Sequence, residues 1–266
     1  MKKSLKKSLV VLMATVLTLS ACEKDGATPA MSGTYQGKKT SVGDGKAWAW
    51  ITVEKGVPAA VGITLDSKAF NSFSEGMHTQ HDGPPTEYVL ELPKQKSLTP
   101  FDHISFDWAA HGHAPEGVYT VPHFDVHFYM STQAERQAIL PDDPKSEIFP
   151  APAYMPAQHV PIPGSVPFMG KHWVDVTSPE LNGGPFTTTF IYGSYNGKVS
   201  FYEPMINYSW LQTKPTITKD IPQPEAYSTA GYYPTRYKIS YDSSKDEYHI
   251  VLEDMISRQE TPLEAQ

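Results

Sequence analysis

The sequence predicts an all-β fold: an antiparallel single domain, sandwich or barrel-like, with one short helix. Two observations carry that expectation. Short runs of aromatic and β-branched residues alternate with polar ones, and 24 prolines and 18 glycines interrupt them before a long helix can form. Turn pairs suited to two-residue hairpins, above all Asn196-Gly197, sit between such runs.

In chain order, residues 1–21 read as a lipoprotein signal peptide. Lys2, Lys3, Lys6 and Lys7 form a basic start, and LVVLMATVLTL is an apolar stretch too short to span a bilayer. Leu19-Ser20-Ala21-Cys22 resembles the lipobox of bacterial lipoproteins, so Cys22 is expected to be the acylated first residue of the mature chain. Glu23 after it points to an outer-membrane anchor in the bacterial cell envelope, facing the periplasm or the surface. Cys22 is the only cysteine, which leaves the domain no thiol for a disulfide, a zinc site or a nucleophile. Residues 22–33 are the acylated cysteine and a small, polar tether, and 34–266 the β-rich domain. Four of the 22 basic residues leave with the leader while all 29 acidic ones stay. That balance argues against nucleic acid and against electrostatic docking on anionic lipid. The lipid on Cys22 is then the expected link to the membrane, and homo-oligomerisation stays open.

AWAWITVEKGVPAAVGITLD predicts a hairpin with strands near 47–54 and 59–65 around Lys55-Gly56. TEYVLELP and HISFDWA supply two further strands. TTTFIYGSYNGKVSFYEPM turns at Asn196-Gly197, and RYKISYDSSKDEYHIVLEDM turns at a polar SSKD. The helix is STQAERQAIL, residues 131–140, where Thr132 and Glu135 have capping-box spacing and Pro141 stops the run. Residues 141–167 are proline-dense yet carry Ile148, Phe149, Tyr154 and Met155, which suits an ordered loop crossing the sandwich better than a linker.

The stretch HGHAPEGVYTVPHFDVHFY, residues 111–129, holds His111, His113, His123 and His127 of the chain's 10 histidines. A strand through PHFDVHFYM puts His123, Asp125 and His127 on one face and Phe124, Val126 and Phe128 on the other. Such a polar face needs water, polar partners or a metal. Strand positions i and i+4 are about 13 Å apart at Cα, and i and i+2 about 6.6 Å, so His123 and His127 share one ion only if the strand bends. Ahead of them, His111 and His113 form an H-x-H pair with Glu116 three residues on. His172, beside Trp173, and Glu203, in FYEP, are placed to fold back on the cluster. Taken singly, each also fits a histidine bonded to backbone carbonyls or an ordinary strand carboxylate. Imidazole and carboxylate without thiolate suit a divalent transition metal: zinc, copper, iron or manganese. Met130, Met155, Met169 and Met205 in the same regions suit copper or a core filling. No nucleophile elbow, P-loop or dinucleotide fingerprint occurs.

Asp107-Trp108, Gly112 to Pro115, Tyr119, Pro122 to Tyr129, Met169 to Trp173 and Phe201 to Met205 follow one another in an order that is similar to a known family. The chain resembles uncharacterised exported bacterial proteins, a domain of unknown function with G-H-x-P, P-H-F-D-x-H-F-Y, M-G-x-H-W and F-x-E-P-M motifs. The resemblance implies a β-rich exported domain and transfers no reaction. It singles out His113, His123, Asp125, His127, His172 and Glu203, and leaves His111 aside. The expected site is a metal bound by His113, one or both of His123 and His127, and His172. Asp125 and Glu203 act as ligands or orienting groups, and Trp108, Tyr119 and Trp173 wall the site. Three functions follow: a lipid-anchored envelope protein that binds a metal; a metal-dependent hydrolase or oxidoreductase with Glu116, Asp125 or Glu203 as general base; or a non-catalytic envelope or assembly protein without metal.

Overall fold

Lys55 and Gly56 take φ values of 51° and 83°, the positive pair that a two-residue hairpin turn needs to match the twist of its strands. They join β3 (Gly45–Glu54) to β4 (Val57–Asp66). The computed structural model describes residues 31–73 and 86–263; the expected leader, Cys22 and most of the expected tether lie outside them. Around the β3–β4 hairpin the first sheet runs β1 (Gly33–Gln36), β3, β4, β14 (Glu247–Arg258), β13 (Gly231–Asp242), β12 (Ile217–Asp220), with β2 (Thr40–Val42) on β3. The second sheet runs β5 (Thr86–Glu91), β6 (His103–Ala109), β7 (His123–Tyr129), β11 (Lys198–Asn207), β10 (Thr188–Tyr195), β9 (Lys171–Asp175), β8 (His159–Pro161). All pairings are antiparallel, and neither sheet closes on itself, so the architecture is sandwich-like rather than a barrel.

Alternation along the strands builds the core. Ile104, Phe106 and Trp108 of β6 and Phe124, Val126 and Phe128 of β7 are buried in one cluster with Ile51, Ile63, Ile239 and Leu252 of the first sheet. The Phe190 and Tyr237 rings meet across the two sheets at 5.3 Å. Each such side chain taken from water contributes about 1.5–3 kcal/mol before entropy is counted.

The predicted helix is present as α2 (Gln133–Gln137), shorter than expected, with the Thr132–Glu135 capping box closed at both ends. Among the described residues it has two companions, α1 (Ser67–Asn71) and α3 (Tyr208–Leu211). Asp66 and Asn207 cap these single turns at strand ends, and one turn is too short to leave a helical period in the sequence.

The second sheet differs from the first in what its outer face carries. Every residue of β6 and β7 is buried, on both faces. The face turned away from the core bears His103, Ser105 and Asp107 on β6, then His123, Asp125 and His127 on β7. Chain segments between the strands roof it, and a small apolar group of Tyr119, Val174, Ile191 and Met205 seals one part. The outer face is therefore a polar layer shut away from bulk water.

Candidate metal centre

Histidine is costly to bury unless its nitrogens are satisfied, so each nitrogen in this layer must be assigned. His127 is 1% exposed. Its Nδ1 lies 2.9 Å from Asp107 Oδ2, and the same oxygen accepts from Ser105 Oγ at 3.1 Å. The opposite nitrogen, Nε2, points at Glu203 Oε2 at 3.5 Å. His172 Nε2 approaches that same oxygen at 3.6 Å, while the His172 ring also bonds the Gly170 carbonyl. Neither His127 Nε2 nor Glu203 Oε2 has a hydrogen-bond partner, although both are buried. Three lone-pair atoms thus converge at separations too long for hydrogen bonds. They are close to the edge of about 3.3–3.4 Å that ligand bonds of 2.0–2.1 Å give in a tetrahedral site.

Electrostatics point the same way. Burial pushes the Glu203 carboxyl well above its usual range, with Asp125 and Asp107 adding to the effect. Asp107 is driven up by burial, helped by Glu87 and Asp125. Burial pulls His127 down to about 4 and His172 down to about 3. The buried cations Arg136 and Lys171 are paired with Glu87 and Glu147, and Arg136 lies over the Tyr129 ring. The polypeptide therefore surrounds two buried carboxyls with groups that give up charge rather than supply it, a setting in which a divalent ion could serve as counter-charge.

A second set lies two residues back along β7. His123 Nδ1 is 2.6 Å from the Val121 carbonyl and His113 Nδ1 is 2.8 Å from the Ala114 carbonyl. A carbonyl only accepts, so both Nδ1 atoms carry the proton and both Nε2 atoms are bare in the neutral rings. These bare atoms face each other at 3.0 Å. Asp125 Oδ1 lies 3.1 Å from His123 Nε2, and its Oδ2 lies 3.5 Å from His113 Nε2. Burial would raise the Asp125 carboxyl, but the two imidazoles hold it well below the usual carboxylate range. Burial acts to lower His113, the exposed member, but Asp125 outweighs it and raises the ring.

These are the two sets among the described residues whose ligand atoms converge closely enough to hold a metal ion: His113, His123, Asp125 and His127, His172, Glu203. A cavity of about 310 Å³ opens on both, with Asp125, His127 and Glu203 on its floor and Ile162, Val166 and Met169 across from them. Sequence reasoning grouped the histidines round one ion; the structure distributes them over two sets, because β7 stays extended and keeps His123 and His127 two pleats apart. Glu116 is exposed on the loop and outside both sets, as is His111.

Trp108 and Trp173 do not wall the site. Both are in the sandwich core, Trp173 donating to Ser194 Oγ at 2.8 Å. The pleat sends each to the face opposite its neighbours Asp107 and His172. Tyr119 does stand beside the second set, its ring 6.1 Å from His113 and 6.4 Å from His123. Two contributors went unrecognised as site residues in the sequence. Asp107 orients His127, and Gly193 leaves room for the Phe201 ring, which packs on His127 at 5.0 Å and on His172 at 5.1 Å. Asp107 lay inside a motif, the one signal that pointed to it.

The family described as TTHB210-like (hypothetical protein TTHB210) matches residues 53–108. The likeness is to an uncharacterised family, and it spans the end of β3 through β6, thus including Ser105 and Asp107 but none of the six candidate ligands. No curated protein and no solved structure matches the chain.

Proposed function

We propose that this chain is a lipid-anchored metal-binding protein of the bacterial cell envelope, whose ion is held by His127, His172 and Glu203. The observation that carries the metal is the convergence of His127 Nε2 and His172 Nε2 on Glu203 Oε2 at 3.5 and 3.6 Å, with His127 Nε2 and Glu203 Oε2 buried and lacking a hydrogen-bond partner. Two imidazoles and one carboxylate suit zinc, iron, manganese or copper. The Asp107–His127 bond supplies the outer carboxylate that metal-bound histidines commonly have. The anchor rests on the leader and the Leu19-Ser20-Ala21-Cys22 lipobox. Support for the exported family comes from the motifs: the six residues at motif positions are the six whose ligand atoms converge.

The test is metal content by inductively coupled plasma mass spectrometry on the full-length lipoprotein, purified in detergent without a histidine tag or chelator. Near-stoichiometric transition metal, with one equivalent fewer in His127→Ala/His172→Ala, is the expected result. Equal traces in both proteins would sink the reading and leave a hydrogen-bonded histidine network in an assembly protein.

One observation favours a second reading, a metal-dependent hydrolase or oxidoreductase. The set has three protein ligands rather than four and faces a cavity of about 310 Å³, and an ion so held keeps a position open for water or substrate. Turnover of small ester or phosphoester substrates that is lost with the metal would support this reading. A metal bound without any turnover would leave storage or structure.

A further inference from the structure

We infer that His113, His123 and Asp125 hold a second divalent ion, so that β7 carries a two-ion centre whose members differ in how readily they exchange. This second site lies beyond the first ion and uses different atoms, so either can fail alone.

Backbone carbonyls settle the tautomers. Val121 and Ala114 fix the ring protons on the Nδ1 atoms, which leaves two electron-rich Nε2 atoms 3.0 Å apart. Neutral rings placed so would repel. Two things relieve them: an added proton on one ring, or a cation between them. Asp125 separates these options. It brings one oxygen toward each imidazole, 3.1 Å from His123 and 3.5 Å from His113, and its buried Oδ1 has no hydrogen-bond partner. A single proton satisfies one edge of this triangle, whereas one ion satisfies all three. The separations bracket the ligand–ligand edge of about 3.3–3.4 Å expected at a tetrahedral ion.

Exposure sets the difference between the two ions. In the first set the His127, His172 and Glu203 side chains are 2%, 11% and 2% exposed. In the second, His113 is 41% exposed and sits on a loop, while His123 and Asp125 are buried. Rotation of one accessible imidazole opens the second set; no ligand of the first set is comparably exposed. Charge also favours two ions over one. Asp107, Asp125 and Glu203 are three buried carboxyls in adjoining positions, enough to offset most of the charge of two divalent ions whose anchors Asp125 and His127 are about 6.6 Å apart at Cα. Among the described residues no Lys or Arg lines the shared cavity, so an anion bridging the two ions would be recognised by the metals themselves.

The experiment is a zinc titration of the chelator-stripped full-length protein in detergent, read by calorimetry, with wild type, His113→Ala, Asp125→Asn and His127→Ala/His172→Ala compared. His113 is exposed and bonded only through its neighbours, so His113→Ala is the variant that keeps the fold, checked by circular dichroism. Two zinc ions per wild-type chain, falling to one in His113→Ala and in Asp125→Asn, is the expected result. The ion lost should be the weaker, released at least about tenfold faster to a mild chelator. Two per chain in His113→Ala, or a single ion that His113→Ala leaves untouched, would overturn the second site. A single ion lost in His113→Ala but kept in His127→Ala/His172→Ala would retain this set and refute the first.

Discussion

At the scale of single residues, the chemistry turns on which nitrogen of each imidazole is committed. Asp107 makes that choice for His127, taking Nδ1 at 2.9 Å and turning Nε2 toward Glu203. Replacing its carboxyl with an amide of the same shape, as Asp107→Asn, is expected to weaken the first ion about 10–100-fold and leave the second unchanged; competition with a chromophoric chelator measures both. His123, Asp125 and His127 stood out in the sequence because histidines and a carboxylate on one face of an otherwise apolar strand are costly to bury without polar partners or a metal, whereas His113, His172 and Glu203 were singled out by the motifs of the resemblance. Asp107 was not legible as an orienting group. Its role depends on strand register, with Asp107 opposite Asp125 and Ser105 opposite His127, and no local pattern in HISFDWA states which strand will lie beside it. Trp108 and Trp173 were misplaced for a related reason: adjacency in sequence is not adjacency at the site, because neighbours on a strand point to opposite faces.

At the scale of elements, two glycines hold the two sets in place, and they make separable predictions. Gly112 has φ +66°, and a Cβ there would lie 2.0 Å from the Tyr119 carbonyl oxygen. Next to it, the His113 backbone N–H donates to that same Tyr119 carbonyl at 3.0 Å, so Gly112→Ala is expected to shift the loop that carries His113 and weaken the second ion. Gly193 is different. A Cβ there would meet the Phe201 ring at 2.1 Å, and Gly193→Ala should displace the ring that backs His127 and His172. The cost is about 1–3 kcal/mol of overpacking, read in a urea titration, together with a weaker first ion. A crossed pattern in zinc titrations of the two variants is the check; the same loss in both would mean that the glycines act on the whole sheet. Hairpins such as Lys55-Gly56 and Asn196-Gly197 were readable because their turns need positive φ, observed as 51° and 83°, and 49° and 76°. The short strands β1, β2, β8, β9 and β12 were not, since three to five residues carry too little alternation to stand out.

At the scale of the whole molecule, burying both faces of the second sheet ties folding stability to pH through histidines outside both ligand sets. The sequence made the sandwich legible through its alternation, but not the pairings β4–β14 and β7–β11, which join strands far apart in the chain and decide which polar residues end up inside. His159, 5% exposed, packs edge-on against Tyr192 with its Nε2 3.3 Å from the Phe190 carbonyl. Burial pulls it below the ordinary histidine range, and burial does the same to His103, which stacks on Tyr129. Both groups are neutral in the folded and unfolded chain above about pH 6.5, so in that range they add no pH dependence. As pH falls below about 6.5, the unfolded chain takes up protons that the folded chain refuses, and stability is lost down to the folded-state values, by at most about 1.4 kcal/mol per pH unit for each group. Acid also releases bound metal, which would steepen the same slope. The two effects separate in His159→Gln, which removes one titrating group and touches neither ligand set. Urea unfolding of wild type and His159→Gln at pH 7.5, 6.5 and 5.5, each with and without zinc, is expected to show a shallower loss of stability in the variant, by the same amount in both metal states. Equal slopes would mean that His159 protonates alike in the folded and unfolded chain. A difference seen only with zinc would mean that His159 reports on the metal centre through the strands between them.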